Sequence, residues 1–290
     1  MFIKNPILEI KDLTVRFGGI KALDKVGFKV EKGSITALIG PNGAGKTTVF
    51  NCLTGFYKAT SGSIFLNTDD GRVDIVKILG EPFRLSDFIN PVAFISRLRY
   101  KMFGGSYLIA RAGIARTFQN IRLFHEMTAM ENLLVAQHMS INRNLVSGLL
   151  KLNSFKEAEE RAINKAYDWL DIMGLRADAN RFANELPYGH RRRLEIARAM
   201  CTDPALICLD EPAAGLNPRE TDELSMLVRR LRDEFNTTVF IIEHDMTLVM
   251  DISEHVVVLN YGQVIANNDP ESIRRDKAVL SAYLGTGNDD

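Results

Sequence analysis

Apolar residues follow two rhythms along this chain. In ILEIKDLTVRF (7–17) they recur mostly at every second position, with charges between them, which is the period of a half-buried strand or hairpin arm. Residues 27–31 repeat that rhythm. ITALIG (35–40), ALICLD (205–210), TTVFIIE (237–243) and HVVVLN (255–260) are instead short, nearly continuous apolar runs, as expected for strands buried on both faces. Helical periodicity separates them, for instance in ETDELSMLVRRLRDEF (220–235). A further short helix is predicted from about Lys46 to Leu53. Buried strands alternating with helices predict an α/β fold with a largely parallel sheet covered on both sides.

The middle of the chain breaks this pattern. Strand signals stop between about 120 and 200, and FKEAEERAINKAYDWLDIMGL (155–175) has apolar residues at helical spacing. The reading is one domain over 1–290. Its α/β core spans 1–118 and 204–265, a helical subdomain is inserted at 119–203, and a C-terminal helix (roughly 270–284) and tail lie within 266–290. The stretch 68–112 fits neither rhythm. From Arg72 to Arg116 there are eight Lys/Arg against three Asp/Glu, mixed with apolar clusters such as FINPVAFI. It reads as a surface loop with its own small apolar cluster, or as a contact face for a partner or anionic headgroups. No internal repeat is visible.

Composition narrows the class. With 46% hydrophobic and 25% charged residues the chain is not disordered as a whole. Its formal net charge of zero, 36 basic against 36 acidic residues, argues against a protein built to hold nucleic acid. Cys52, Cys201 and Cys208 make no CxxC pair and sit in apolar segments, so buried reduced thiols are expected. The start, MFIKNPILEIKD, lacks the apolar run of a signal peptide. No apolar run approaches the ~18 residues that span a bilayer.

The chemistry concentrates in three places. GPNGAGKTT, Gly40 to Thr48, fits GxxxxGK[ST] between a buried strand and a helix. Gly40, Pro41, Asn42, Gly43, Ala44 and Gly45 would wrap backbone N–H groups around phosphate oxygens at a helix N-terminus. Lys46 would meet the β/γ-phosphates, Thr47 would ligate Mg²⁺, and Thr48 would complete the cradle. LICLDEP ends a buried strand in two carboxylates. Asp210 is placed to reach the metal, and Glu211 to polarise an attacking water. IIEHD ends another strand with His244 at its tip, placed to contact a γ-phosphate.

These motifs, in this order, resemble the ATP-binding cassette of ABC transporters over about residues 7–265. The resemblance implies a P-loop cassette fold: a RecA-like parallel core, an antiparallel N-terminal β region and an inserted helical subdomain. It implies that Phe17 stacks on adenine and that Gln119, in RTFQN, contacts Mg²⁺ and the attacking water. The following NIRLFHEMTAMENLL would receive coupling segments of membrane subunits. Glu211, His244 and Gln119 become the catalytic residues, and Thr47, Gln119 and Asp210 the metal site.

The family signature, usually LSGGQ, reads LPYGH here. Leu186 and Gly189 match, while Pro187, Tyr188 and His190 depart. In the family this motif reaches a nucleotide bound by the partner cassette, and proline supplies neither hydroxyl nor N–H. Asn217 replaces the usual aspartate in the loop after the Asp–Glu pair. LPYG, AAGLNP, KTTVFNCLTGFYKAT, ENLLVAQH and IIEHDM together resemble an ATPase subunit of bacterial branched-chain amino-acid importers, although the 73 positions from Lys46 to Gln119 exceed the usual spacing. That implies ATP and Mg²⁺ as ligands. It also implies two membrane-spanning permease subunits, a periplasmic or extracellular substrate-binding protein, and a place on the cytoplasmic side of the membrane. The altered signature suggests a heterodimer with a second ATPase subunit. A lipid or lipopolysaccharide exporter ATPase, or a cassette ATPase outside transport, is the alternative. A DNA-handling cassette would need coiled coils or a DNA-binding domain. A P-loop GTPase or kinase would have no reason to carry Phe17, Gln119 and His244 in this order.

Overall fold

A computed structural model describes residues 5–69, 71–79, 105–138 and 153–284. Among them the chain builds two sheets. The first is antiparallel, with strand order β2–β1–β4–β5: β1 (Pro6–Phe17), β2 (Ile20–Glu31), β4 (Ser61–Thr68) and β5 (Gly71–Asp74). The second has order β10–β9–β3–β8–β7–β6: β3 (Ile35–Ile39), β6 (Ile114–Arg116), β7 (Leu206–Asp210), β8 (Thr238–Ile242), β9 (His255–Asn260) and β10 (Gln263–Asn268). All its pairings are parallel except β10 with β9.

The period of two within the buried strands decides what covers each face. Ile35, Ala37, Ile39, Ile207, Leu209, Val239, Ile241, Val256 and Val258 point into a core shared with the helices. Leu38, Leu206, Cys208, Phe240, Ile242, Val257 and Leu259 point the other way, toward the antiparallel sheet and the helix α1 (Lys46–Leu53). Phe50 of α1 lies 4.9 Å from the Phe240 ring, and Phe28 of β2 lies 5.6 Å from it, so three elements are pinned around one aromatic centre. Because β3, β6, β7 and β8 run parallel, their C-terminal ends open on one edge of the sheet, where ligands bind in open α/β sheets.

Sequence periodicity captured the long buried elements and missed the edges. β2 begins at Ile20 rather than near 27, because the Gly18–Gly19 turn, with Gly18 at φ +57°, folds β2 back along the whole of β1. β4, β5, β6 and β10 gave no signal: they are short or half-polar edge and near-edge strands, held by their neighbours' backbones. β10 continues to Asn268, beyond the 266 boundary. The single C-terminal helix is two, Pro270–Arg275 and Lys277–Leu284, parted at Asp276, whose carboxylate accepts the N–H groups of Ala278 and Val279. Of the stretch 68–112, β5 and the helices Ile75–Ile78 and Ser106–Arg111 are described. FINPVAFI and RLRYK lie outside the described residues.

Candidate nucleotide site

The Gly-rich loop runs from the end of β3 into α1. Gly40 has φ +146°, and a Cβ there would lie 2.1 Å from the Leu259 carbonyl oxygen. Gly45 has φ +103°, and its Cβ would strike Leu23 and the Ala22 carbonyl. Glycine is therefore required at both positions by backbone angle and by space. Gly45 caps α1 without a side-chain bond, leaving the first-turn N–H groups facing outward. Pro41, Gly45 and Thr48 are half-buried, Ala44 is buried, and Asn42, Gly43 and Thr47 are exposed. Lys46 is buried and folded onto its own loop, its Nζ donating to Gly40 O at 2.6 Å and Pro41 O at 3.1 Å. Burial lowers its pKa, while the charges of Glu211 and Asp210 oppose that shift.

Across the sheet edge, Glu211 is held at both carboxylate oxygens. Gln119 Nε2 donates to Oε2 at 2.7 Å, and His244 Nε2 lies 2.7 Å from Oε1. The three predicted catalytic residues thus meet, each from the end of a different strand. Glu211 has φ +47°, a left-handed conformation that costs a non-glycine residue roughly 1–2 kcal/mol. Its N–H donates to Ile242 O at 2.9 Å, and its carbonyl accepts from Ala214 N at 3.2 Å. Beneath it, Glu243 accepts the N–H groups of Ala213 and His244. Burial raises the Glu243 pKa despite these bonds.

Asp210 is buried, and Arg116 Nη2 donates to its Oδ2 at 2.6 Å. Arg116 Nη1 also reaches Asn51 Oδ1 and Thr54 Oγ1 on α1 and its C-terminal cap, both at 2.8 Å. Among the described residues, no group of three or more His, Cys, Asp or Glu could hold a metal alone. A hydroxyl and one carboxylate do fit Mg²⁺, which keeps several waters and shares phosphate oxygens rather than sitting in an all-protein cage.

The signature departures have definite places. Leu186 is buried in the core, and Pro187 caps the helix Tyr188–Met200 without a side-chain bond. Gly189 lies against Glu220, where a Cβ would come within 2.6 Å of its carboxylate. His190 Nδ1 lies 2.9 Å from Asp178 Oδ2. Burial raises the Asp178 pKa, but bonds from His190 and Arg181 outweigh it and hold the group below the usual carboxylate range. Asn217 is the N-cap of the helix Pro218–Asp233: its Oδ1 accepts from Glu220 N, and Glu220 Oε2 accepts from Asn217 N, a reciprocal capping box.

Phe17 is 46% exposed at the end of β1, and its ring meets Tyr57 edge-on at 5.1 Å. Sequence reading missed Tyr57 as well as Arg116. For Arg116 there was no signal to read, because the three-residue strand that carries it is not legible from periodicity and its burial follows only from the pairing with Asp210. All three cysteines are free and buried, and burial pushes each thiol up to about 12. A groove of about 800 Å³ lies beside Gln119, lined by Phe56, Tyr107, Phe118, Phe124, Val135 and Arg198 among others. No helix among the described residues is long and apolar enough to cross a membrane.

A sequence profile described as ABC transporter matches residues 23–214. The high-affinity branched-chain amino acid transport ATP-binding protein BraF of Pseudomonas aeruginosa is 50% identical over 98% of this chain and 99% of its own length. Its counterpart LivG of Escherichia coli is 48% identical over the same shares. A crystal structure of a nucleotide-free ATP-binding cassette from an ABC transporter superposes with a TM-score of 0.74 at 31% identity, covering 97% of this chain and 99% of that one. The ADP conformation of an ATP-binding cassette gives 0.72 at 30%, with the same coverage.

Proposed function

This chain belongs to the ABC transporter family as an ATP-binding cassette, and from that premise we propose that it hydrolyses ATP to drive import of branched-chain amino acids. The observation that carries the reading is the two-sided hold of Gln119 and His244 on Glu211, at the sheet edge that also bears the phosphate loop.

In this reading Gly40 to Thr48 wrap the phosphates, and Lys46 leaves the carbonyls of Gly40 and Pro41 to meet the β/γ-phosphates. Phe17 offers its ring face to the base, with Tyr57 packed edge-on against it. Glu211 orients a water and takes its proton as the water oxygen bonds to the γ-phosphorus. The bond from that phosphorus to the β–γ bridging oxygen breaks, and ADP and phosphate leave. Gln119 and His244 hold water and γ-phosphate in line, and Lys46 offsets the developing charge. Mg²⁺, held by Thr47, Asp210 and Gln119, would neutralise charge on the β- and γ-phosphate oxygens.

The whole chain, 1–290, acts as one nucleotide-binding domain. Its partners are a second ATPase subunit, two permease subunits and an external substrate-binding protein. Contact with the membrane runs through the permease on its cytoplasmic side. The aromatic-lined groove beside Gln119 supports docking of a permease segment there, since that groove shares Phe118 with the loop carrying the catalytic amide. A proline in place of the signature serine supports pairing with an ATPase of the more usual signature, with residues 187–190 facing that partner's nucleotide and Leu186, buried in the core, anchoring them from behind. The test is ATP-driven leucine uptake by the complex reconstituted with those partners. Uptake that requires ATP and stops with E211Q is the expected result. ATP hydrolysis without amino-acid uptake, or lipid export instead, would overturn the substrate assignment.

A further inference from the structure

Tyr188 stands where the usual family signature has glycine, so it supplies a side chain that the usual motif lacks. That side chain is 38% exposed, but its hydroxyl bonds within its own chain. Its Oη donates to the Ala214 carbonyl at 3.0 Å, three residues after Glu211. Arg192, one helical turn further on, donates from Nη2 to the same Oη at 3.2 Å and to the Gln119 carbonyl at 2.8 Å. Arg192 is 1% exposed. Its Nη1 donates to the Phe118 carbonyl at 2.7 Å and to Glu195 Oε2 at 3.0 Å. Glu195 in turn accepts the N–H groups of Phe118 and Arg122 through Oε1. The phenol ring also lies against Gly215, where a Cβ would meet it at 3.3 Å.

These contacts close a ring. Tyr188 binds the loop after the carboxylate, and that loop's Ala214 N–H binds the Glu211 carbonyl. The Glu211 side chain binds the Gln119 amide, and the Gln119 carbonyl binds Arg192, which returns to Tyr188. A hydroxyl that accepts from a guanidinium is polarised to donate more strongly. The Arg192 Nε is buried without a partner, so its two terminal nitrogens carry the whole anchorage.

We propose that Tyr188 is a positioning residue whose hydroxyl, bridging Ala214 and Arg192, fixes the loop after Glu211 against the Gln119 segment in the same chain. It holds Gln119 and Glu211 in mutual register before any partner cassette arrives. This rests on the catalytic reading of those two residues, but the bridge itself does not.

The test is Tyr188→Phe, which keeps the ring against Gly215 and removes only the bridging oxygen. In the isolated, nucleotide-free chain, amide hydrogen exchange at 118–122 and 211–217 is expected to quicken ~5–10-fold, about what one lost hydrogen bond allows, with β3 and β8 unchanged. In the assembled transporter, kcat for ATP is expected to fall by a similar factor with KM within about twofold. Unchanged exchange with a reduced kcat would mean that the phenol acts only across the dimer, and would overturn the proposal. So would a uniform rise in exchange throughout the chain, which would mark a purely structural loss, or unchanged exchange with unchanged kcat. The exchange result stands whether or not the complex transports amino acids.

Discussion

The guanidinium of Arg116 lies 2.6 Å from the carboxylate of Asp210, and both side chains are at least 94% buried. One arginine thereby ties the end of β6 to the Asp210 carboxylate at the end of β7 and to Asn51 and Thr54 around α1. The Arg116 Nε is buried without a partner, so the pair is imperfectly satisfied. Removing one member of such a pair leaves an uncompensated buried charge, which costs more than the pair itself contributes. Arg116→Met is expected to destabilise the isolated chain by about 3–5 kcal/mol in urea unfolding. Replacing Asp210 by leucine in the same chain should recover part of that loss. Equal stability of R116M and the unaltered protein would show the pair to be idle.

Glu211→Gln keeps the size of the side chain and one acceptor oxygen between Gln119 and His244, but cannot accept a proton from water. Steady-state ATP turnover by the assembled complex should fall at least ~100-fold, the contribution expected of a positioned general base. Nucleotide affinity, measured by equilibrium dialysis, should stay within a few-fold. Persistent turnover would remove Glu211 from its catalytic role.

Gly40→Ala places a methyl 2.1 Å from the Leu259 carbonyl at φ +146°. The loop must move away from β9, so nucleotide binding should be lost together with several degrees of thermal stability. Gly43→Ala, at φ +79° with no atom within 4 Å, should be milder, because only backbone strain is added. The two melting curves, read side by side, separate collision from strain.

Phe17 and Tyr57 meet edge-on at 5.1 Å. With Phe17 stacked on the base and Tyr57 supporting it edge-on, Phe17→Ala should weaken ATP binding about 10-fold, in the range of a lost base–aromatic stack. Tyr57→Ala should weaken it by less, and the double variant by less than the product of the two, because the rings support one another. Fluorescent-nucleotide titration measures all three.

The thiols of Cys52, Cys201 and Cys208, pushed up to about 12 by burial, hold their protons at pH 8 with a thiolate fraction on the order of 10⁻⁴. Native protein should resist iodoacetamide at that pH, and urea-unfolded protein should take up three labels. The linkage sign follows: above pH 9 the unfolded chain releases these protons before the native one does. Stability should therefore fall as pH rises from about 9 toward 12. A rapidly labelled native thiol would place that cysteine outside the core.

The sequence by itself determined the chemistry carried on contiguous or strongly patterned segments. The phosphate loop, the Asp–Glu strand end and the long buried strands are legible because backbone geometry forces their residue types: glycine where φ is positive, apolar runs where both faces are covered. Asn217 was read only as a departure, although NPRE, with proline after the cap and glutamate three residues on, also carries the signature of a helix N-terminus. Tertiary structure alone decided what meets across distance. It brought Gln119 and His244 to opposite oxygens of Glu211, set Arg116 on Asp210, and placed the Tyr188 hydroxyl between Ala214 and Arg192. Local periodicity reports which face of an element is buried. Which side chains from separate strands converge is set by sheet order and register, and that information lies in the pairing of elements rather than within any one of them.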